Sequence, residues 1–252
     1  LLCKIYIVLL PFFRVYANAE AKIVPFKFPG ECEVLLMARD GYWARSVPKT
    51  LTSPLYLTGA SRADLAIRCT GTSTIVVDGN VVGSLDVDDS AAPDSYPSPY
   101  DTAGEAWTPN FPSYLRDLTL EKDVVNGGKI SMGASSINGD HFDPKRPIYN
   151  ITSGDVVEWS VHSSHNHPLH LHMFPMQVRD SGCGNGYEKG EFYDTYAAGT
   201  CFVRFAAETF GGMAVLHCHI LEHEDNGSMV WMGVNGGEIA SGDGSSYQCL
   251  VS

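Results

Sequence analysis

The 252-residue chain reads as all-β, folded as two β-sandwich or barrel domains, and three observations carry that reading. Short runs rich in Val and Ile recur between turn signals, as short strands require. The 25 glycines and 14 prolines supply those turns. No 3.6-residue helical period is sustained over a useful length.

Taken in order, the opening stretch has two readings. Leu1 to Ala19 offers one Lys, an apolar run from Ile5 to Phe13 and the small-x-small sequence Ala17-Asn-Ala19, which together imitate a secretory signal peptide. The chain starts with Leu rather than Met, and Arg14 interrupts the passage to the cleavage pattern, so a buried strand is preferred. Further on, Ile75-Val-Val-Asp-Gly-Asn-Val-Val82 reads as a hairpin turning at Asp78-Gly79. Asp86 to Ser113 differs in kind: five prolines, six acidic residues and no basic one describe a linker or long surface loop. After it, Val157, Trp159 and Val161 alternate with polar neighbours as a half-buried strand does. The expected organisation is a domain over 1–85, a connector over 86–113 and a second domain over 114–252.

Composition narrows the function. Seventeen Lys and Arg against 29 Asp and Glu give a net charge of −12, and no basic block occurs, which argues against nucleic acid or an anionic membrane as partner. A small cation or neutral molecule fits better. No stretch reaches the 18 or so apolar residues that span a bilayer. Seven cysteines are many for a reducing compartment. Cys183 and Cys201 flank a Gly-rich stretch as a disulfide-closed loop would, and Cys32 and Cys69 offer a second bridge. Asn150-Ile-Thr152 is an N-glycosylation sequon. A secreted or extracytoplasmic protein is therefore expected; buried, reduced cysteines are the alternative.

Six of the nine histidines fall in two short segments. In His167-Pro-Leu-His170-Leu-His172, the last two histidines alternate, so on an extended chain they share a face, with His167 a turn away. In His217-Cys218-His219-Ile-Leu-Glu-His223, extension sends His217 and His219 to one side and the Cys218 sulfur to the other, where His223 can reach it. Alternation thus sorts the ligands into two sites. Cys218 with His223 and His167 is the His2Cys set of a blue-copper electron-transfer centre. Zinc in such a set would make a hydrolase, but it gives no reason for four more histidines packed on the opposite face. His170, His172, His217 and His219 suit a multinuclear copper cluster reached through the Cys218 backbone.

These segments resemble the two C-terminal copper motifs of the multicopper oxidases, a family that includes laccases, ferroxidases, bilirubin oxidases and copper-efflux oxidases. His-Pro-x-His-Leu-His is met by His167 to His172, and His-Cys-His-x-x-x-His by His217 to His223. The resemblance implies cupredoxin-like Greek-key domains. It makes His167, Cys218 and His223 type 1 copper ligands, His170 the type 2 ligand, and His172, His217 and His219 type 3 ligands. Glu224 matches an acidic residue linked in bacterial relatives to proton delivery. More weakly, Ile137 to Asp143 with Gly154 to Trp159 looks like the opening of the family's C-terminal domain. Ser61 to Ile67 and Phe13 to Tyr16 look like parts of its middle domain.

The chain departs from the family pattern twice. A complete oxidase takes half of its trinuclear cluster from an N-terminal domain with two further His-x-His motifs, and here only His141, His162 and His165 remain, none of them forming a separate His-x-His pair. The chain is accordingly expected to be the middle and C-terminal parts of a longer oxidase, with one complete type 1 site and half a cluster. It would be inactive alone and would take the N-terminal domain of the same longer chain as partner. Second, the axial type 1 position, where many bacterial relatives have Met, holds Ser228, with Met229 one residue late and on the other face of a strand. Three strong ligands without a thioether imply a raised potential. The implied reaction is one-electron oxidation of a small reducing substrate, a phenol or a metal ion, coupled to reduction of dioxygen to water. A mononuclear blue-copper carrier or copper-binding module without oxidase activity is the alternative.

Overall fold

The computed structural model describes residues 6–8, 12–17, 23–45, 49–52, 54–85, 115–164 and 166–237. Among them the regular secondary structure is almost all strand, with a single-turn 3-10 segment at Leu118–Leu120 and one short helix, α1, at Leu221–Asp225. The connector expected at 86–113 lies outside the described residues, as does His165. The chain forms two compact units.

The first unit comprises the described residues of 1–18, 24–57 and 61–111. Its strands are β1 (Tyr6–Val8), β2 (Phe12–Tyr16), β3 (Val24–Lys27), β4 (Cys32–Arg39), β5 (Tyr42–Trp43), β6 (Lys49–Thr50), β7 (Leu55–Leu57), β8 (Arg62–Cys69), β9 (Ser73–Val77) and β10 (Asn80–Leu85). One sheet runs β1-β2-β8-β4-β5 with β6 beside β4, and the other runs β10-β9-β3-β7. A strand therefore occupies Phe13 to Tyr16, and the hairpin turns at Asp78-Gly79, both with positive φ as a two-residue turn of matching twist requires. Phe26, Leu57, Leu65, Ile75 and Val77 from both sheets form one core, and a Cys32–Cys69 disulfide joins β4 to β8.

The second unit comprises the described residues of 19–23, 58–60 and 112–252. It contains β11 (Val125–Ser131), β12 (Asn150–Thr152), β13 (Val156–His162), β14 (Leu169–Leu171), β15 (Met176–Val178), β16 (Phe192–Tyr193), β17 (Thr195–Tyr196), β18 (Cys201–Ala206), β19 (Gly212–Cys218) and β20 (Met229–Asn235). These form two five-stranded sheets, β11-β13-β18-β15-β16 and β12-β20-β19-β14-β17. Alternation along β13 buries Val157, Trp159 and Val161, and these meet Val203 and Phe205 of β18 and Leu216 and Met232 of the opposite sheet in a single core. Trp159 stacks at a tilt on Phe205, ring centroids 4.6 Å apart, and is fully buried. A Cys183–Cys201 disulfide closes the loop that carries β16 and β17.

Candidate metal centre

The site grows from the register of β14 against β19. Leu169 pairs with Cys218, His170 with His217 and Leu171 with Leu216. Directly paired residues share a face, so Leu169, Leu171, Leu216 and Cys218 point into the core while His170 and His217 point away from it. The alternation read from the sequence is thus realised by two neighbouring strands, and the two ligand groups lie on opposite faces of one sheet.

On the core face, His167, Cys218 and His223 bring one ligand atom each within 4.8 Å of one another. His167 Nδ1 lies 3.1 Å from His223 Nδ1, and Cys218 Sγ lies 3.6 Å from His223 Nδ1. Donors bound to one ion at roughly 2.0 to 2.3 Å stand at about these separations from each other. Chain reversal delivers His223: α1 follows Cys218 at once, Ser228 N–H donates to His223 O, and Gly227 turns the chain at φ 103°. A Cβ at Gly227 would come within 2.8 Å of His141 Nδ1, so the turn has room for glycine alone.

On the outer face, His170, His172 and His217 form the second group with ligand atoms inside 4.8 Å. His172 Nε2 and His217 Nε2 are 3.1 Å apart. His219 stands beside this group, its ring centroid 5.0 Å from that of His170 and 5.3 Å from that of His217, and its backbone N–H donates to Pro168 O. Its Nδ1 is buried without a hydrogen-bond partner among the described residues. A buried polar atom left this way costs free energy until something engages it. Imidazole and thiolate donors gathered in two sets, with an orphaned ring nitrogen at the edge, fit copper as the bound group.

Second contacts fix the rings. His217 Nδ1 donates to Cys218 O at 2.9 Å, with Glu224 Oε2 at 3.3 Å. His170 Nδ1 faces Asp194 O at 2.9 Å and Thr195 Oγ1 at 3.2 Å. Burial pushes His170 down to about 4, with the other three outer-face histidines adding to the shift and Asp194 opposing it. His217 is lowered too, by burial first, against its Cys218 carbonyl contact and Glu224. The Cys218 thiol is pushed up to about 11 by burial.

Ser228 follows the antiparallel register one step beyond the His217–Met229 pair, where Cys218 N–H donates to Ser228 O at 2.9 Å. It therefore shares the face of Cys218, and Met229 shares the face of His217. The Ser228 hydroxyl is buried and donates to Gly133 O at 2.7 Å. Of the histidines outside the two motifs, His162 ends β13 with Nε2 against Ser160 Oγ, and His141 is exposed. Gly133, Asp194 and Thr195 were not visible as site residues in the sequence. Asp194 and Thr195 lie 24 and 25 positions from His170, and only the pairing of β14 with β17 brings them to it.

Fold and site together define a class: all-β sandwich proteins that gather imidazoles and a thiolate into two adjoining metal sets. A family model described as multicopper oxidase matches residues 113–238, half of the chain, and the chain belongs to that family. A laccase of Haloferax volcanii is 28% identical over 128 residues, covering 46% of this chain and 21% of the relative. A bilirubin oxidase of Albifimbria verrucaria is 29% identical over 137 residues, covering 47% and 24%. Among solved structures, a laccase from Pediococcus acidilactici Pa5930 superposes with a TM-score of 0.68 at 20% identity, covering 91% of this chain and 51% of that one. A multi-copper oxidase from Pseudomonas parafulva gives 0.67 at 24%, covering 88% and 55%. The fold is that of the cupredoxin-type oxidases, and the chain spans about a quarter of the curated relatives and about half of the solved ones. Copper-dependent oxidation is the chemistry that membership implies, with dioxygen and a reducing substrate as the family's reactants. No helix among the described residues is long and apolar enough to cross a membrane.

Proposed function

We propose that this chain is the part of a laccase-like multicopper oxidase that carries the type 1 site and half of the trinuclear cluster. The observation that supports this best is the opposed placement of the two ligand groups on β14 and β19, with Cys218 bonded through the backbone to His217 and His219. His167, Cys218 and His223 would hold the type 1 copper, His170 the type 2 copper, and His172, His217 and His219 the type 3 pair. Bound copper supplies one-electron redox chemistry between a small reducing substrate, a phenol or a metal ion, and dioxygen, which is reduced to water.

The protein's own groups set the path and the protons. Cys218 joins the two faces by the shortest covalent route, three residues of one strand end. The buried core around Cys218 keeps water from the sulfur. Glu224, one quarter exposed in its side chain and 3.3 Å from His217 Nδ1, stands between solvent and the outer face, where a carboxyl group can hold and pass a proton. The cluster is completed by the N-terminal domain of a longer chain. Beyond the six motif histidines the sequence has only His141, His162 and His165. The same shortage favours the competing reading, a mononuclear copper carrier. Secretion is part of the proposal, supported by two disulfides and by exposed Asn150 and Thr152 on β12. A glycosidase-sensitive mass difference on protein from its natural source checks it, and its absence counts against the sequon.

The test of function is copper loading followed by visible spectroscopy. The first equivalent should give an intense blue thiolate band that Cys218→Ser abolishes and His170→Ala leaves intact. No band in the parent chain overturns the type 1 assignment. Reduction of dioxygen by this chain alone overturns the half-cluster assignment. Wild-type uptake that stops at one equivalent, with the outer-face histidines silent, favours the carrier.

A further inference from the structure

We propose that Asp194 and Thr195 form a positioning pair that locks His170 as its Nδ1–H tautomer, leaving Nε2 as the atom offered to the outer-face metal. The inference rests on the outer-face site described above and adds residues that the family motifs do not contain. Asp194 sits where the chain crosses between sheets: β16 belongs to the sheet of β13 and β18, and β17 to the sheet of β14 and β19. Thr195, the first residue of β17, pairs with His170 itself and is fully buried. The crossing places the pair under the imidazole and the Cys183–Cys201 bridge encloses it within one loop.

Hydrogen-bond polarity dictates the tautomer. Thr195 has one hydroxyl proton, and it is donated to Asp194 Oδ1 at 2.8 Å. Toward His170 Nδ1, 3.2 Å away, the hydroxyl oxygen has only lone pairs to offer. The other neighbour of Nδ1 is the Asp194 carbonyl oxygen at 2.9 Å, an acceptor that also takes the Leu171 N–H. Two acceptors require that Nδ1 carry the proton, so the lone pair resides on Nε2. Without the Asp194 carboxylate to take its proton, the Thr195 hydroxyl can turn that proton to Nδ1, which makes the wrong tautomer available. Histidine ligands are commonly held this way by a carboxylate or carbonyl, and losing such a partner lowers metal affinity or activity by about 10- to 100-fold.

The test uses the metal-free chain with its histidines labelled with nitrogen-15, in which the two neutral tautomers have distinct shifts. Wild type should show His170 as Nδ1–H alone. Asp194→Ala should populate the Nε2–H form, whereas Thr195→Val, which has no hydroxyl proton to donate and keeps the Asp194 carbonyl as acceptor, and Thr195→Ser should both retain Nδ1–H; Asp194→Ala combined with Thr195→Val should return the wild-type pattern. If Thr195→Val fails to fold because its site is fully buried, Asp194→Ala carries the comparison on an edge-of-loop residue. An unaltered tautomer in Asp194→Ala overturns the proposal and assigns the effect to the Asp194 carbonyl alone. Titration with Cu(II) beyond the first equivalent gives the second readout. Asp194→Ala should weaken that uptake about 10-fold or more, with the Cys218 band unaffected. A wild-type chain with the expected tautomer and no uptake beyond the first equivalent would refute the outer-face metal reading and leave the tautomer lock standing.

Discussion

Replacing Ser228 with Met asks how the thiolate site is closed. Ser228 faces Cys218 across the end of β19, is fully buried, and gives its hydroxyl proton to Gly133 O at 2.7 Å. Ser228→Met removes that donor, which costs about 1–3 kcal/mol if the carbonyl is left unpaired. The longer side chain must also enter a packed interior, at about 1–3 kcal/mol for overpacking. The sum is roughly 2–6 kcal/mol, a large share of the 5–15 kcal/mol typical of a domain. Ser228→Ala carries the first cost without the second. Only the Met variant brings a thioether to the face of Cys218, and a weak axial thioether tunes the potential of a His2Cys copper. Each tenfold gain in preference for the oxidised ion lowers a one-electron potential by about 59 mV. Ser228→Met is therefore expected to fall by that order or more, and Ser228→Ala to stay near the parent. The assay is a redox titration followed on the Cys218 absorption band, with thermal unfolding on the same samples. Equal potentials in the two variants would refute the reasoning, because a thioether would then already be in place, against the β19–β20 register that pairs Met229 with His217.

Three further outcomes are expected. Cys183→Ser with Cys201→Ser opens a loop of sequence separation 18 and should cost about 3 kcal/mol of the unfolding free energy in urea, from loop-closure entropy; no loss would show that the unfolded chain gains no freedom there. Gly127→Ala would place a methyl group 2.5 Å from Trp159 Cδ1 and 2.7 Å from Val157 Cγ1, so calorimetry should show a drop of about 1–3 kcal/mol, and an unchanged melting curve would mean that β11 shifts freely. The metal-free protein should weaken in acid. His170 sits at about 4 when folded against 6.5 as the ordinary value, and a depressed value means that the unfolded chain takes the proton first. Stability is then full above pH 6.5 and is lost as pH falls towards 4, by up to about 3 kcal/mol at 1.36 kcal/mol per pKa unit, with His217 shifted in the same direction. Denaturant titrations at pH 7.5 and pH 4.5 that give equal free energies would contradict burial as the cause.

Much of the site was legible because strand alternation is rigid. Spacing alone separated Cys218 from His217 and His219, and β14 and β19 realise that separation without a bulge between them. Asp78-Gly79 announced its hairpin in the same local way, since both residues take the positive φ that the turn demands. Local rules end where partners come from distant strands. Nothing near His170 in sequence points to Thr195, and nothing near Ser228 points to Gly133, 95 positions away. These contacts depend on which strands become neighbours, a property of the whole sandwich. Sequence separation conveys nothing about it.

The two metal sets also share one point of failure, and this follows from the side-chain period of two. A slip of β19 by one residue against β14 would turn Cys218 to the outer face and His217 to the core, destroying both sets at once. The register is therefore held at both ends of the motif. His219 N–H is tied to Pro168 O at one end and His172 N–H to Val215 O at the other, while the bonds from Cys218 N–H to Ser228 O, and from Ser228 in turn to Gly133, hold β19 on its other side. Leu169, Leu171 and Leu216 add an apolar penalty for any slip, because each would be forced out of a core in which it is almost wholly buried. At about 1.5–3 kcal/mol for each such side chain exposed, three leucines outweigh what a misplaced pairing would recover in backbone hydrogen bonds. The leucines between the histidines are thus as necessary to the ligand geometry as the histidines themselves. Exchanging one for a polar residue should loosen both metal sets together.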